Sequence, residues 1–327
     1  MKLWVMKPLL NETVTSFYLD RIADAYRELG LEIIVIHTWK NYKPRRDDLT
    51  IVSTSVDALV PLLRHQRYIW WIQGTWPEEN YYKKHSKVKF YIISQIEKMA
   101  IKGASFIFYV SESMKKHYEK KYNIDTSDIS YIMPCSNEVM HPECFVDDRY
   151  KNNIFCYAGS ISSWQCIDQT LDIYKKIETV APGSKLLMLV KDREKAISMI
   201  QERGIKNYEI DFVRVEQLVE RMKDVKYGFI IREDEIFNRV ATPTKLSTYM
   251  ANGIIPIYSD CLDGLNEVIG DSEYVVKMKN IEDISPILCS VEKTISARDV
   301  YRDFLNHFDR HYNAEVHHIN MMDILPT

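Results

Sequence analysis

A chain of 327 residues, 46% hydrophobic and 27% charged, is long enough for two globular domains with cores of their own. A formal net charge of −3 argues against wholesale nucleic-acid binding. Six scattered cysteines (Cys135, Cys144, Cys156, Cys166, Cys261 and Cys289) with no close CxxC pair, and no histidine run at ligand spacing, argue against zinc and a disulfide framework, so no metal is expected and a reducing cytoplasm is.

The N-terminal stretch MKLWVMKPLLNET is too short in apolar residues for a signal peptide. Nothing approaches ~18 continuous apolar residues, so a soluble or at most membrane-peripheral protein is expected. Leu3 to Met6 reads as a first strand and Thr13 to Leu29 as a helix, with Phe17, Ile22, Ala25, Tyr26 and Leu29 on one side and Gly30 ending it. Strands follow at Leu31–Thr38, Ile51–Ser53 and Tyr68–Ile72, with a helix over Val56–His65. Such alternation predicts a parallel sheet wrapped by helices. The first strand–helix turn, Lys7 to Thr13, holds no glycine, which argues against a dinucleotide site and an NAD enzyme.

Beyond the Tyr68 strand, Trp70 to Glu79 places aromatics and a glycine where a sugar-facing wall would lie, though a core strand and a turn read equally well. Gln73 and Gly74 are the cleft candidates, and Glu78 or Glu79 a contact for an acceptor hydroxyl. Asn80 to Gly103 reads as one long basic helix. Residues 83–121 carry ten lysines against three glutamates, which suits an anionic surface nearby or a solvated helix face. A strand at Ser105–Val110, a helix capped by Ser111 and running to Tyr122, and a strand at Ile129–Met133 complete the first half; Asp147 to Asn153 is polar enough for a linker.

Ile154 to Ala158 opens a second sheet. Gly159 at the next turn lets backbone approach a diphosphate. Trp164 is placed to stack on a sugar or acceptor, or to pack. A helix over Ile167–Thr179 precedes strands at Lys185–Val190, Tyr208–Val213, Tyr227–Ile231 and Ile254–Tyr258, with helices at Glu194–Arg203 and Val215–Met222 between them. Glu273–Val276 is the last strand and Ala297–Tyr312 a helix.

The most informative stretch runs from Tyr227 to Tyr258. Arg232 follows a buried strand at its carboxyl end, where open α/β sheets bind ligands. Thr242 is a suitable N-cap and Pro243 a suitable first helical residue. Lys245 then falls in the first helical turn, where a cation opposes the helix dipole unless an anion sits at the helix mouth. Solvated surface charges are the plainer alternative for Lys245 and Arg232.

The string PTKLSTYMANGIIPI, Pro243 to Ile257, resembles the nucleotide-sugar segment of retaining glycosyltransferases of the GT-B fold, family four in particular. The phrases YVSESMKKHYEKKY and ISYIMPCSNE also resemble that family, and the likeness spans roughly residues 105–258. Pro256 arrives one residue late, the first strand–helix loop lacks the glycines members often have, and four functional positions depart from the family. Thr248 stands where the family has a ribose-binding glutamate, and Val240 where many members have a glutamate near the sugar. Ser160 and Gln165 stand where an arginine and a lysine commonly hold phosphates, and would donate neutral hydrogen bonds to the diphosphate instead.

The resemblance implies an α/β protein of GT-B type, with two Rossmann-like, doubly wound parallel-sheet domains facing each other across a cleft. The boundaries are 1–148 for the acceptor side, with a C-terminal helix of about 297–327 crossing back onto it, and 151–296 for the donor side. It implies transfer of a sugar, with retention, from a UDP-sugar to a hydroxyl of a glycan or lipid-linked acceptor in surface polysaccharide synthesis, without metal or other cofactor. Arg232 and Lys245 would stabilise the leaving diphosphate, aided by Arg239 and the helix start at Thr242, Pro243 and Thr244. Val213 and Arg214 would border the base, and Thr248 the ribose. Expected partners are the nucleotide-sugar, the acceptor and, through the 83–121 segment, the inner face of the plasma membrane; nucleic acid is not expected. The alternative is a catalytically silent GT-B module that binds a glycan or supports a partner transferase.

Overall fold

The computed structural model describes residues 1–7, 14–136 and 138–325. The glycine-free turn after the first strand, and Asn137 of the ISYIMPCSNE phrase, lie outside the described residues. By contacts the chain divides into two compact units, Met1–Asn137 with Tyr312–Thr327, and Glu138–His311.

The first unit is a six-stranded parallel sheet of β1 (Lys2–Met6), β2 (Glu32–Ile36), β3 (Leu49–Val52), β4 (Arg67–Ile72), β5 (Phe106–Tyr109) and β6 (Ser130–Ile132), in the order β2-β1-β3-β4-β5-β6. Its helices are α1 (Val14–Glu28), α2 (Ser55–Leu63), α3 (Trp76–Lys84), α4 (Lys87–Gly103) and α5 (Glu112–Tyr122). Covered on both faces, the central strands read as unbroken apolar runs: YIWWI, Tyr68 to Ile72, in β4 and FIFY in β5. Trp71 of β4 stacks on Tyr18 of α1, ring centroids 4.8 Å apart, and anchors that helix to the sheet.

The second unit repeats the plan with β7 (Ile154–Ala158), β8 (Lys185–Leu189), β9 (Tyr208–Asp211), β10 (Tyr227–Ile230), β11 (Ile255–Ser259) and β12 (Val276–Met278), all parallel, in the order β12-β11-β10-β7-β8-β9. Its helices are α6 (Asp147–Lys151), α7 (Ile167–Val180), α8 (Arg193–Glu202), α9 (Leu218–Arg221), α10 (Ile236–Arg239), α11 (Thr244–Ala251), α12 (Asp263–Ile269), α13 (Ser285–Val291) and α14 (Ala297–His311). Phe155 stacks on Tyr227 and Phe229 across the β7–β10 pair, at 5.0 and 5.7 Å. Gly228 of β10 sets the depth of α11: a Cβ there would lie 2.4 Å from the Tyr249 ring, so only glycine lets the helix settle on the strand.

Four expectations are corrected. The long basic helix is two, because His85 takes a left-handed conformation (φ 49°) that closes α3, and Ser86 caps α4. The polar linker contains α6, whose Arg149 and Tyr150 are buried. Arg149 donates to the carbonyls of Met222, Lys223 and Asn252, which ties residues 138–151 into the second unit. The C-terminal segment is two helices: α14 packs with α11 and α12 in the second unit, and α15 (Ala314–Ile324) packs on α1 in the first. The last strand lies at Val276–Met278, slightly later than read from the sequence.

Candidate functional site

Parallel strands in the second unit end together, and the loops that leave them enclose a cavity of about 420 Å³. Its walls come from the β7 end (Ala158, Gly159, Ser160), the β8 end (Leu189, Lys191), the β9 end (Phe212, Val213), Leu218, and the start of α11 (Thr244, Lys245, Thr248, Tyr249). The position beyond the carboxyl ends of the strands is the one expected of a ligand site in an open α/β sheet.

Two cations converge beside it. The Lys245 Nζ lies 2.6 Å from the side-chain oxygen of Gln165, and Arg232 Nη2 donates to the same oxygen at 2.7 Å. The Tyr157 hydroxyl is 3.1 Å from that oxygen, and the Lys245 ammonium stands over the Tyr157 ring at 4.1 Å. Arg232 is held further by the carbonyl of Ile231, and its backbone N–H donates to Ser259 Oγ at 2.9 Å. Every group that receives these cations is neutral. Burial pushes the Lys245 ammonium well below its ordinary pKa and the neighbouring Arg232 pushes it further; burial also lowers Arg232. Among the described residues, no carboxylate pairs with either cation, so the two like charges are held together by neutral oxygens alone.

Gly159 makes room for this arrangement. Its φ of 141° is one that side-chain-bearing residues rarely adopt, and a Cβ there would lie 2.9 Å from Lys245 Cε and 3.0 Å from Nζ.

The remaining expected residues separate into those brought to the cavity and those not. Gly159, Ser160, Val213, Thr244, Lys245 and Thr248 line it. Gln165 is a cation holder: its oxygen accepts from Lys245 and Arg232, where a donor to phosphate was expected. Thr242 is buried just before the helix, while Pro243, not Thr242, occupies the N-cap position and makes no side-chain cap. Arg239 forms a two-pronged ion pair with Asp234, five residues earlier, which takes it out of the cationic cluster. Arg214 is exposed and Trp164 half-buried, and neither lines the cavity. Val240 is buried in the core, so no polar role near a sugar falls to it.

Lys191 and the exposed Phe212 line the cavity and were missed from the sequence. So was Glu138, whose Oε1 accepts from Thr248 Oγ1 at 3.0 Å; burial raises its pKa, with Thr248 and His141 opposing. No local pattern marks a glutamate 110 residues from its partner.

The first unit has a cavity of its own, about 480 Å³, at the ends of β3 and β4. Gln73 and Gly74 line it, as does Glu79 rather than Glu78. Glu78 turns instead to His117 (3.3 Å) and Lys121 (2.7 Å); burial raises its pKa, but these partners bring it below the usual value. Glu79 is raised by burial. Trp70, Trp76 and Glu97 complete the aromatic and acidic lining. Among the described residues, no group of three or more His, Cys, Asp or Glu is disposed to hold a metal ion, and no helix is long and apolar enough to cross a membrane.

No family model and no curated protein sequence matches the chain. Solved structures do. Sucrose-phosphate synthase from Thermosynechococcus elongatus matches with a TM-score of 0.73 and 12% identity over 99% of this chain and 98% of that one. Anabaena HepE, solved with UDP and glucose, matches with a TM-score of 0.69 and 12% identity over 99% of each chain. The lipopolysaccharide outer core galactosyltransferase WaaB, in its apo form, matches with a TM-score of 0.67 and 15% identity over 99% of each chain. Likeness at such identities is likeness of fold, and the chain's two six-stranded parallel-sheet units are those of the GT-B glycosyltransferase fold.

Proposed function

We propose that this protein is a retaining glycosyltransferase that moves a sugar from a UDP-sugar to a hydroxyl of a glycan or lipid-linked acceptor in surface polysaccharide synthesis, without a metal or other cofactor. The observation that carries the reading is the pair of cations, Lys245, which lines the second-unit cavity, and the buried Arg232 behind that lining, sharing the neutral Gln165 oxygen. A nucleoside diphosphate fits that charge, and structural neighbours solved with UDP and with UDP-glucose support the choice of donor.

The diphosphate would sit between Lys245, Arg232 and the start of α11, with the base toward Val213 and Phe212. Lys191 supplies a further exposed cation at the rim. The carboxylate of Glu138, held by Thr248, would repel phosphate but suits hydroxyls; we assign it the ribose hydroxyls that a glutamate on α11 would otherwise take. As the bond from the anomeric carbon to phosphate oxygen breaks, charge builds on the departing diphosphate. Lys245 and Arg232 bind that charge more tightly in the transition state than before it. The acceptor oxygen forms the new bond on the same face, and its proton goes to the departing phosphate oxygen.

The first-unit cavity is the acceptor site in this reading. Its indoles offer stacking surface and Glu79 accepts hydroxyls, so the reacting end of the acceptor is a neutral sugar rather than an anion. The protein would work in the cytoplasm, near the inner face of the plasma membrane.

A thermal-shift panel of UDP, GDP, ADP and CMP tests the donor. UDP should stabilise the wild type and leave Lys245→Ala unmoved. Product formation from UDP-sugars then separates an active enzyme from the silent module, which Thr248, Val240, Ser160 and Gln165 keep open as a second reading. Stabilisation by none of the nucleotides would defeat the proposal.

A further inference from the structure

We infer that the outer side of α4 docks on an anionic lipid surface. The inward side of this helix buries Ile93, Ser94, Glu97, Ala100 and Ile101 in the packing with α2 and α3. On a surface helix so packed, the opposite side is ordinarily polar. Here it is apolar: Val88, Tyr91, Ile92 and Met99 are 70, 65, 53 and 49% exposed. Spaced i, i+3, i+4 and i+11, they share one side of the helix, where the polar Gln95 and Lys102 interrupt and end the apolar stripe. Tyr81 of α3, itself exposed, meets Phe90 at 5.7 Å and extends the apolar surface past the start of α4.

The charge beside the stripe has one sign. Lys84, Lys87, Lys89 and Lys102 are exposed. The single acid of α4, Glu97, points inward, where its carboxylate accepts from Tyr118, Tyr122 and Lys121. It therefore does not offset the surface lysines. Apolar side chains bordered by lysines match a membrane interface, where the first enter the acyl boundary and the ammonium groups reach headgroup phosphates. A second copy of the chain fits less well, because a self-paired α4 would set lysines against lysines. The inference does not depend on the reaction proposed above.

Flotation of the full chain with vesicles decides it. Wild type should float with equal mixtures of phosphatidylglycerol and phosphatidylcholine, less so at high salt, and not with phosphatidylcholine alone. The variant Val88→Glu/Ile92→Glu changes only exposed positions; an unchanged melting midpoint would confirm that it folds, and its partition should drop at least about tenfold. Lys87→Glu/Lys89→Glu tests the charge separately and should show a similar loss. The inference is overturned if wild type ignores anionic vesicles, or if both variants float like wild type. It is also overturned if wild type ignores vesicles but forms a concentration-dependent dimer that Ile92→Glu dissolves, which would make the stripe a self-contact.

Discussion

The Lys245 ammonium and the Arg232 guanidinium meet on one neutral atom, the Gln165 side-chain oxygen, at 2.6 and 2.7 Å. A carboxylate at that point would neutralise both. Gln165→Glu should therefore raise the melting midpoint of the free protein while weakening UDP by about 2–4 kcal/mol, since it fills the site with an anion of its own. Calorimetric titration alongside thermal melting reads both; a variant that binds UDP as tightly as wild type would place the diphosphate elsewhere.

The same burial makes stability depend on pH. Lys245 has a folded pKa depressed below its ordinary 10.5, so across that interval the unfolded chain binds more protons than the folded one. Its penalty is thus full below the depressed value and relieved as pH rises toward 10.5. Lys245→Met should flatten this part of the profile and stabilise the free protein near neutrality, at the expense of UDP binding. Melting curves against pH, wild type and variant side by side, check the slope.

Gly159→Ala adds a methyl 2.9 Å from Lys245 Cε at a φ of 141°. The strained backbone should cost about 1–3 kcal/mol, and the displaced lysine should lower UDP affinity further. Denaturant unfolding and UDP titration separate the two effects.

Glu138 accepts from Thr248, which lines the cavity. If it holds ribose hydroxyls, wild type should prefer UDP over 2′-deoxy-UDP by about 1 kcal/mol, and Glu138→Ala should lose that preference while still binding both. An undiminished preference in the variant would remove Glu138 from the donor site without touching the cationic pair.

Arg149 is buried and donates to three backbone carbonyls: Lys223 at 2.7 Å, Met222 at 2.8 Å, and Asn252. Arg149→Met would strand all three, at a cost of about 3–5 kcal/mol. Urea unfolding should show a lower midpoint; an unchanged one would mean that water replaces the guanidinium.

What the amino-acid order determined by itself is the alternation of strands and helices and the location of the cationic pair. Parallel strands covered on both faces read as short apolar runs, as in β4, β5 and β10, and a lysine in the first turn of α11 is conspicuous against the helix dipole. These signals arise among residues a turn or a strand apart. Arg239 was also legible in principle, since its neutralising partner Asp234 is only five residues away. Only the tertiary structure decided that Gln165, 80 residues before Lys245, holds the cations, and that Glu138 rather than a residue of α11 brings a carboxylate to Thr248. It also decided that Glu79 and not its neighbour Glu78 lines the first-unit cavity, and that the lysine-rich helix turns its apolar stripe outward. Such choices depend on how far each crossover carries the chain and how each helix is rotated on its sheet. Packing between distant segments sets both.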